Sequence, residues 1–559
     1  MKAPFQRIRT LPARIASLPD SLLLLLFFAA VALSHLTLLR LPYFWDEGGY
    51  YIPAALDFYH TGQLIPHFTN GHPPLPNILL GSLWRLVGFH ILATRLLACS
   101  FAALAFLAIF RLTERLLDAS AALAVTLLTS VYPIWFAQSS LAHADVFAAA
   151  FTLWAFALYL PSLQAGSANG SQDGRAQPHY LSVAVLFSLA ALSKETSIIQ
   201  PAALTAWEMV LLFGSRRSRP ERHQEPSLGL GLQQSGSSGR HGAWAAALAS
   251  SVLPLIAWFA YHHHVVGFTF GNPAFLRYNA TANLTAAHIL RALCYRFLHL
   301  FWQRNIWLPI ALALYCLLLP RRQDAPAALQ PGPLYAMAVL AAANWLAFSV
   351  LGGALLTRYL LPVYPLILIV CVSQWRIHTR RWPLFAAAGA AAFLSVLWLN
   401  PPSMFAPEDN LTYRDMIVVQ REAIDFVQQR YPGATILTAW PVSSDLLEPY
   451  LGYVNHPMKV VAIDDFTLPQ VLLAARESNR YNTAIVFTTH FVTPLYRRYL
   501  LSHPNTWRGR AFAAKRDLTP TETAALLGCR VVWRAERGGE WAAVLRFPRS
   551  QAAALRPPR

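Results

Sequence analysis

The chain reads as an α-helical polytopic membrane protein with a C-terminal extracytoplasmic α/β domain. Three observations predict this. Hydrophobic residues make up 55% of the 559 positions and charged residues only 13%, against about 25% charged in soluble domains. About eleven long apolar runs fill residues 21–400. After Asn400 the composition changes to short β-rich runs among charges. Disorder of the whole chain is excluded, because disorder needs low hydrophobicity and high charge. The net charge of +18 fits basic cytoplasmic loops better than nucleic acid in so apolar a chain. Cys99, Cys294, Cys316, Cys371 and Cys529 show no CxxC pair, which speaks against a disulfide framework or a zinc site.

Residues 1–20 carry Lys2, Arg7, Arg9 and Arg14 and read as a cytoplasmic tail. The run 22–41 follows. It resembles a signal peptide at its start, but no small-residue cleavage site ends it. About 20 apolar residues cross ~30 Å of hydrocarbon, so it reads as a retained first span. Ten more spans are expected at 90–110, 119–137, 143–161, 179–193, 196–214, 243–261, 303–320, 334–352, 355–374 and 382–399. With the N-terminus inside, Arg111, Arg115, Arg216, Arg217, Arg321, Arg322, Arg376, Arg380 and Arg381 all fall in cytoplasmic loops. The positive-inside rule requires that. An odd number of spans then places the C-terminal domain outside. The Gly/Ser-rich stretches near 162–178 and 222–242 read as flexible connectors. A bacterial inner membrane, with a periplasmic C-terminal domain, is the expected location.

Residues 401–559 form the second expected domain. Pro401, Pro402 and Pro407 end the last span. Apolar positions at helical spacing predict a surface helix over 412–430. Strands are expected at Thr435–Thr438, Val460–Ile463, Ala484–Thr488, Arg530–Trp533 and Trp541–Phe547.

The first outer loop, 42–89, holds the richest chemistry. Asp46 and Glu47 follow the first span by about five residues and precede Tyr50. Adjacent carboxylates suit a general base or a divalent cation, and also a solvated pair that stops a helix. Ile52–Tyr59 has the pattern of an interfacial amphipathic helix. His72 precedes Pro73-Pro74-Leu75, where the prolines forbid a helix. A structural histidine and an anion donor both fit. Asp145 opens the fourth span, where an ionisable residue is costly. Lys194 and Glu195 lie in the next outer turn; they can neutralise each other or offer a cation to phosphate. Arg358 and Tyr359 open the tenth span, where the arginine either snorkels or grips an oxyanion. Asp46, Glu47, His72, Asp145, Lys194 and Arg358 share one face under a single topology. Carboxylates and phosphate-binding cations at a membrane surface suit displacement of a lipid phosphate by a hydroxyl.

The ordered set Asp46-Glu47-x-x-Tyr50, His72-Pro73-Pro74-Leu75, Asp145, Ser193-Lys194-Glu195 and Arg358-Tyr359-x-Leu361-Pro362 resembles the GT-C glycosyltransferases. The branch it is similar to is that of the protein O-mannosyltransferases and the lipid A aminoarabinose transferase. The resemblance covers about residues 20–400. Some relatives have Lys where this chain has His72. The resemblance implies a catalytic outer loop, a polyprenyl-phosphate-linked sugar as donor, and a lipid, glycan or protein as acceptor. It implies Asp46 as general base, with Glu47 orienting the acceptor. Lys194 and Arg358, with His72, would face the donor phosphate. Tyr50, Asp145, Glu195 and Tyr359 would line the substrates. Asp46, Glu47 and Asp145 would suit Mg or Mn, since some relatives depend on a divalent cation. A transporter or flippase is the rival class, but its sites commonly lie at the bilayer midplane between matching broken helices. A sensor leaves the Asp-Glu loop without a task.

Three further features are weaker. Trp440, Pro441, Asp445, Tyr450, Tyr453 and His456 fit either a sugar platform or a core. Asn279, Asn283 and Asn410 stand in glycosylation sequons. His262, His263 and His264 fit an interfacial cap.

Overall fold

A computed structural model of the protein describes residues 12–548 apart from 69–70, 165–178, 218–229, 272, 274–275, 278–283, 352–353, 401–404 and 491. The connector expected near 162–178, the start of the one near 222–242, and Asn279 and Asn283 lie largely or wholly outside the described residues. The chain divides into two compact units. One comprises Met1–His35 and Tyr50–Leu394; the other comprises Leu36–Gly49 and Ser395–Arg559.

The first unit is helical. Ile91–Leu116, Ala144–Leu163, Glu195–Gly214, Ser238–Val266 and Pro331–Leu351 are long and apolar enough to cross a membrane. Shorter apolar helices are Asp20–Ser34, Leu75–Val87, Ala119–Val131, Tyr180–Ser193, Trp307–Leu317, Val363–His378 and Trp382–Ser395. The expected amphipathic helix is present as Ile52–Thr61.

Several expected spans change shape. The first is helical only to Ser34. The run 119–137 breaks into Ala119–Val131 and Pro133–Gln138. Pro133 forces Tyr132 into an extended conformation (ψ 125°), because a proline ring crowds the helical conformation of the residue before it. The helix Leu75–Val87 lies inside the expected outer loop; Asn77 and Arg85 interrupt its apolar pattern in sequence. The Gly/Ser-rich stretch is helical from Leu230, within Leu230–Ser250. Ala286–Phe301 is an amphipathic helix that no long apolar run announces.

Charge is sorted along these helices. Asp118 caps Ala119–Val131, accepting from the Ser120 and Ala121 amides at 2.9 and 3.0 Å. Its other oxygen takes Arg376. Arg322 and Arg380 share Asp324. Arg115 donates to the Ala157 carbonyl, near the C-terminal end of the helix that Asp145 begins. Asp145 and Arg115 therefore mark opposite ends of one span.

The second unit is α/β. Its five-stranded sheet has the order β2-β1-β3-β5-β4, with β1 Thr435–Ala439, β2 Lys459–Ile463, β3 Thr483–Phe487, β4 Arg530–Arg537 and β5 Glu540–Arg546. β1 runs parallel to β2 and β3, with Thr435 opposite Lys459 and Ile436 opposite Thr483. β5 is antiparallel to β3 and β4. The β4–β5 turn is Gly538-Gly539, both at positive φ, as a tight two-residue hairpin requires. A Cβ at Gly538 would also meet Asp415 Oδ2 at 2.7 Å. The helix Thr412–Arg430 lies where its spacing predicts and buries Ile417, Ile424 and Val427. Asn410 is fully buried, and its amide donates to the Val396 carbonyl and to Asn400 Oδ1. That sequon therefore holds a structural asparagine.

Glu540 is buried at the start of β5. Burial holds its carboxyl well above the usual carboxylate range. The folded unit thus retains this proton more strongly than the unfolded chain. The associated stability is full below pH of about 4.3 and is lost as pH rises through the folded value. Glu540→Gln should leave the melting midpoint of this unit unchanged at pH 4 and raise it at pH 8. A midpoint lowered equally at both pH values would contradict this.

Candidate active site

Asp145, Lys194 and Arg358 come together in the first unit. Asp145 sits in the first turn of Ala144–Tyr159, where a helix N-terminus favours an anion. Lys194 interrupts the chain between Tyr180–Ser193 and the turn Glu195–Ile198, in extended backbone. Arg358 lies in the 3₁₀ turn Thr357–Leu360, just before Pro362 and the span Val363–His378. Lys194 Nζ donates to Asp145 Oδ1 at 2.5 Å. Arg358 Nε lies 3.3 Å from Asp145 Oδ2. All three side chains are buried. One carboxylate therefore lies against two cations in a medium that penalises buried charge.

Tyr359 floors this group. Lys194 Nζ sits 4.0 Å from its ring centroid, within cation–π range. Phe348 stacks against the ring at 5.3 Å. Arg296 approaches it at 5.5 Å and donates to the carbonyls of Ala354, at 3.1 Å, and Leu356. Arg296 thereby pins the segment leading into Arg358. The small cavity beside the group is lined by Asp145, Lys194, Ser197, Gln200, Arg358 and Tyr359.

His72 and Glu195 form a second pair, with His72 Nδ1 3.0 Å from Glu195 Oε2. Glu195 thus answers His72, and Lys194 answers Asp145 rather than its chain neighbour. Tyr51 stacks on His72 at 5.4 Å and lies 6.0 Å from His143. Tyr50 is exposed; its neighbour Tyr51 is the buried ring. Sequence reading missed Tyr51, Arg296 and Arg95. Arg95 is fully buried within Ile91–Leu116 and donates to the Ser140 carbonyl. A lone arginine inside an apolar run was its available signal.

Asp46 and Glu47 belong to the second unit. Tyr43 donates its amide to the Leu451 carbonyl, and Tyr453 donates its hydroxyl to the Tyr43 carbonyl at 3.2 Å. Glu47 is fully buried, and its Oε2 accepts the Phe44 amide at 2.9 Å. Asp46 is half-buried. Trp45, immediately before it, adopts φ 45°, a left-handed conformation that costs a bulky residue energy. The Trp45 ring meets Trp440 edge-on at 4.6 Å. Trp440 is half-buried, whereas Pro441, Asp445 and Tyr453 are buried.

Among the described residues no cluster of three or more His, Cys, Asp or Glu converges as a cation cage. Asp145 does not suit a metal, because Lys194 and Arg358 already hold its two oxygens. One oxygen of Glu47 is committed to backbone.

A family model described as dolichyl-phosphate-mannose-protein mannosyltransferase matches residues 71–234. That stretch contains His72, Asp145, Lys194 and Glu195. No curated protein matches the chain. Among solved structures, ArnT from Cupriavidus metallidurans bound to undecaprenyl phosphate is similar at TM-score 0.48 and 15% identity, over 96% of this chain and 99% of that one. The Archaeoglobus fulgidus oligosaccharyltransferase AglB, in complex with an inhibitory peptide and a dolichol-phosphate, is similar at TM-score 0.41 and 11% identity, over 90% of this chain and 70% of that one. Its complex with Zn and sulfate is similar at TM-score 0.40 and 13% identity, over 87% and 67%.

Proposed function

We propose that the chain is a membrane glycosyltransferase of the GT-C kind that takes its sugar from a polyprenyl-phosphate donor. The family match supports this class, in agreement with the resemblance carried by the motifs. The observation that carries the reading is the buried Asp145–Lys194–Arg358 group. Asp145 lies against both cations, and a donor phosphate is an anion that the same two cations can grip. Asp145 partly offsets their charge before the donor arrives. An arriving phosphate takes over part of that pairing, and the cations then stabilise the charge that grows on it as the sugar leaves. Phosphate is a good leaving group, so no general acid is needed.

Asp46 is the general base towards the acceptor hydroxyl. Its strained neighbour Trp45 supports the assignment, since non-glycine residues at positive φ gather at functional sites. Glu47 holds the loop through the Phe44 amide. A single displacement inverts the anomeric centre. His72, Glu195, Tyr50 and Tyr359 are assigned to the substrates' surroundings. The site faces the outer side of a bacterial inner membrane, because the basic cluster at the other end of Ala144–Tyr159 marks the cytoplasmic side. Mannose, another hexose or a pentose all satisfy this chemistry, as do lipid, glycan and protein acceptors.

Sugar-free polyprenyl phosphate should raise the melting temperature of the purified protein in detergent. The matching polyprenyl alcohol should not. Lys194→Ala should remove the stabilisation. Equal stabilisation by phosphate and alcohol would overturn the phosphate assignment. Chelator tests the other carboxylates, since Asp145 already faces Lys194 and Arg358: loss of transfer restored by magnesium or manganese would point to a cation at Asp46 and Glu47, and indifference to chelator would remove it.

A further inference from the structure

The second unit carries a separate feature that sugar transfer does not use. Between Ser478 and Arg516 the sequence holds seven Arg or Lys and no Asp or Glu. Elsewhere in residues 405–548 acids and bases are mixed. The basic stretch includes two short helices, Pro494–Ser502 and Trp507–Lys515. They follow β3, and among the described residues the basic side chains on them form no ion pair. Arg498 is exposed, the Arg510 guanidinium donates to the Asn505 carbonyl, and Arg508 lies over the Trp507 ring at 5.3 Å.

The same helices expose large apolar side chains. Trp507 is 69% exposed, Leu495 63% and Leu501 58%. Helical spacing aligns Leu495 with Arg498 and Tyr499, and Trp507 with Arg510 and Ala511. Exposed tryptophan and leucine beside arginine is the composition of an interfacial helix, whose apolar groups enter the acyl boundary and whose cations meet headgroup phosphates. A soluble acidic glycan would reward the arginines but not three exposed apolar side chains. Just behind the helices, Arg497, Arg516 and His490 line a small cleft together with Asp517. Asp517 holds His490 and the Thr489 backbone, and Glu522 holds Arg516. The Arg497 side chain makes no hydrogen bond or ion pair among the described residues.

We propose that the helix pair Pro494–Ser502 and Trp507–Lys515 docks on the membrane surface and recognises anionic phospholipid headgroups. Arg498, Arg508 and Arg510 meet phosphates at the surface, Arg497 takes one at the cleft, and Leu495, Leu501 and Trp507 enter the interface. The proposal does not depend on the transferase reading.

The test is amide hydrogen exchange on the full-length protein, reconstituted in two kinds of vesicle. One is pure phosphatidylcholine; the other contains about 30 mol% phosphatidylglycerol, a typical anionic load. Exchange over 494–515 should slow severalfold in the anionic vesicles relative to the neutral ones. Exchange over Thr412–Arg430 should be the same in both. In the variant R497Q/R498Q/R508Q/R510Q the difference over 494–515 should vanish, while Thr412–Arg430 stays protected and so reports an intact fold. Equal exchange in the two vesicles would overturn the proposal. So would protection that survives the four substitutions, or protection produced in neutral vesicles by adding a soluble polyanion such as dextran sulfate.

Discussion

Asp46→Asn removes sugar transfer, lowering turnover about 10²–10⁴-fold, the usual worth of a positioned general base. The amide has nearly the shape of the carboxylate but cannot accept the acceptor's proton. The loop should survive the change. Its anchors include the Tyr43–Leu451 backbone bond, the Tyr453 hydroxyl on Tyr43, and Glu47 on the Phe44 amide. None of these uses the Asp46 carboxylate. Stabilisation by polyprenyl phosphate should therefore persist, because it depends on Lys194 and Arg358. Turnover is measured with saturating donor, and donor binding by melting shift. A variant that keeps most of its turnover would remove Asp46 as the base. A variant that loses turnover and donor binding together would point to a folding defect instead.

Asp145→Ala produces the largest loss of stability. It leaves Lys194 and Arg358 buried and facing each other without their shared carboxylate. Breaking a buried pair by removing one partner costs about 3–5 kcal/mol. Here one deletion removes a carboxylate that two buried cations share, so a loss within that range is expected. Adding Lys194→Met should recover part of the stability, since only one cation then stays buried. Adding polyprenyl phosphate to Asp145→Ala should also recover part, because phosphate supplies the missing negative charge. Melting of the three proteins with and without the lipid checks both expectations. A variant as stable as the wild type would mean that the Asp145 pairing with Lys194 and Arg358 contributes nothing to stability.

Much of the fold was legible because apolar runs and β-rich runs are local signals. The helix Thr412–Arg430 and all five strands stand where spacing and composition put them, within a few residues. Failures came where length and composition mislead. Leu75–Val87 is helical despite Asn77 and Arg85, and Leu230 begins a helix despite the glycines and serines that follow it. The break at Tyr132–Pro133 was readable from proline chemistry but was hidden inside a long apolar run. The site was legible as a set of residues and illegible as a set of pairs. Asp145 and Lys194 are 49 positions apart, and His72 and Glu195 are 123 apart. No periodicity records such contacts. The adjacency of Lys194 to Glu195 suggested mutual neutralisation, whereas Lys194 found its partner on another helix and Glu195 in the loop before Leu75–Val87. Likewise the grouping of Leu36–Gly49 with residues beyond Ser395 rests on bonds to Leu451 and Tyr453, more than 400 residues away. Arg296 was missed because its helix is amphipathic and its work is done through backbone carbonyls.

The most direct measurement is sugar release from a panel of polyprenyl-phosphate monosaccharides by the wild type and Asp46→Asn side by side. The protein is reconstituted in vesicles with a crude lipid and glycan extract as acceptor. The account predicts release and transfer from at least one donor by the wild type, with inverted anomeric configuration in the product, and none above background by the variant. Identical behaviour of the two proteins, or no release from any donor by a folded wild type that binds the lipids, would contradict it.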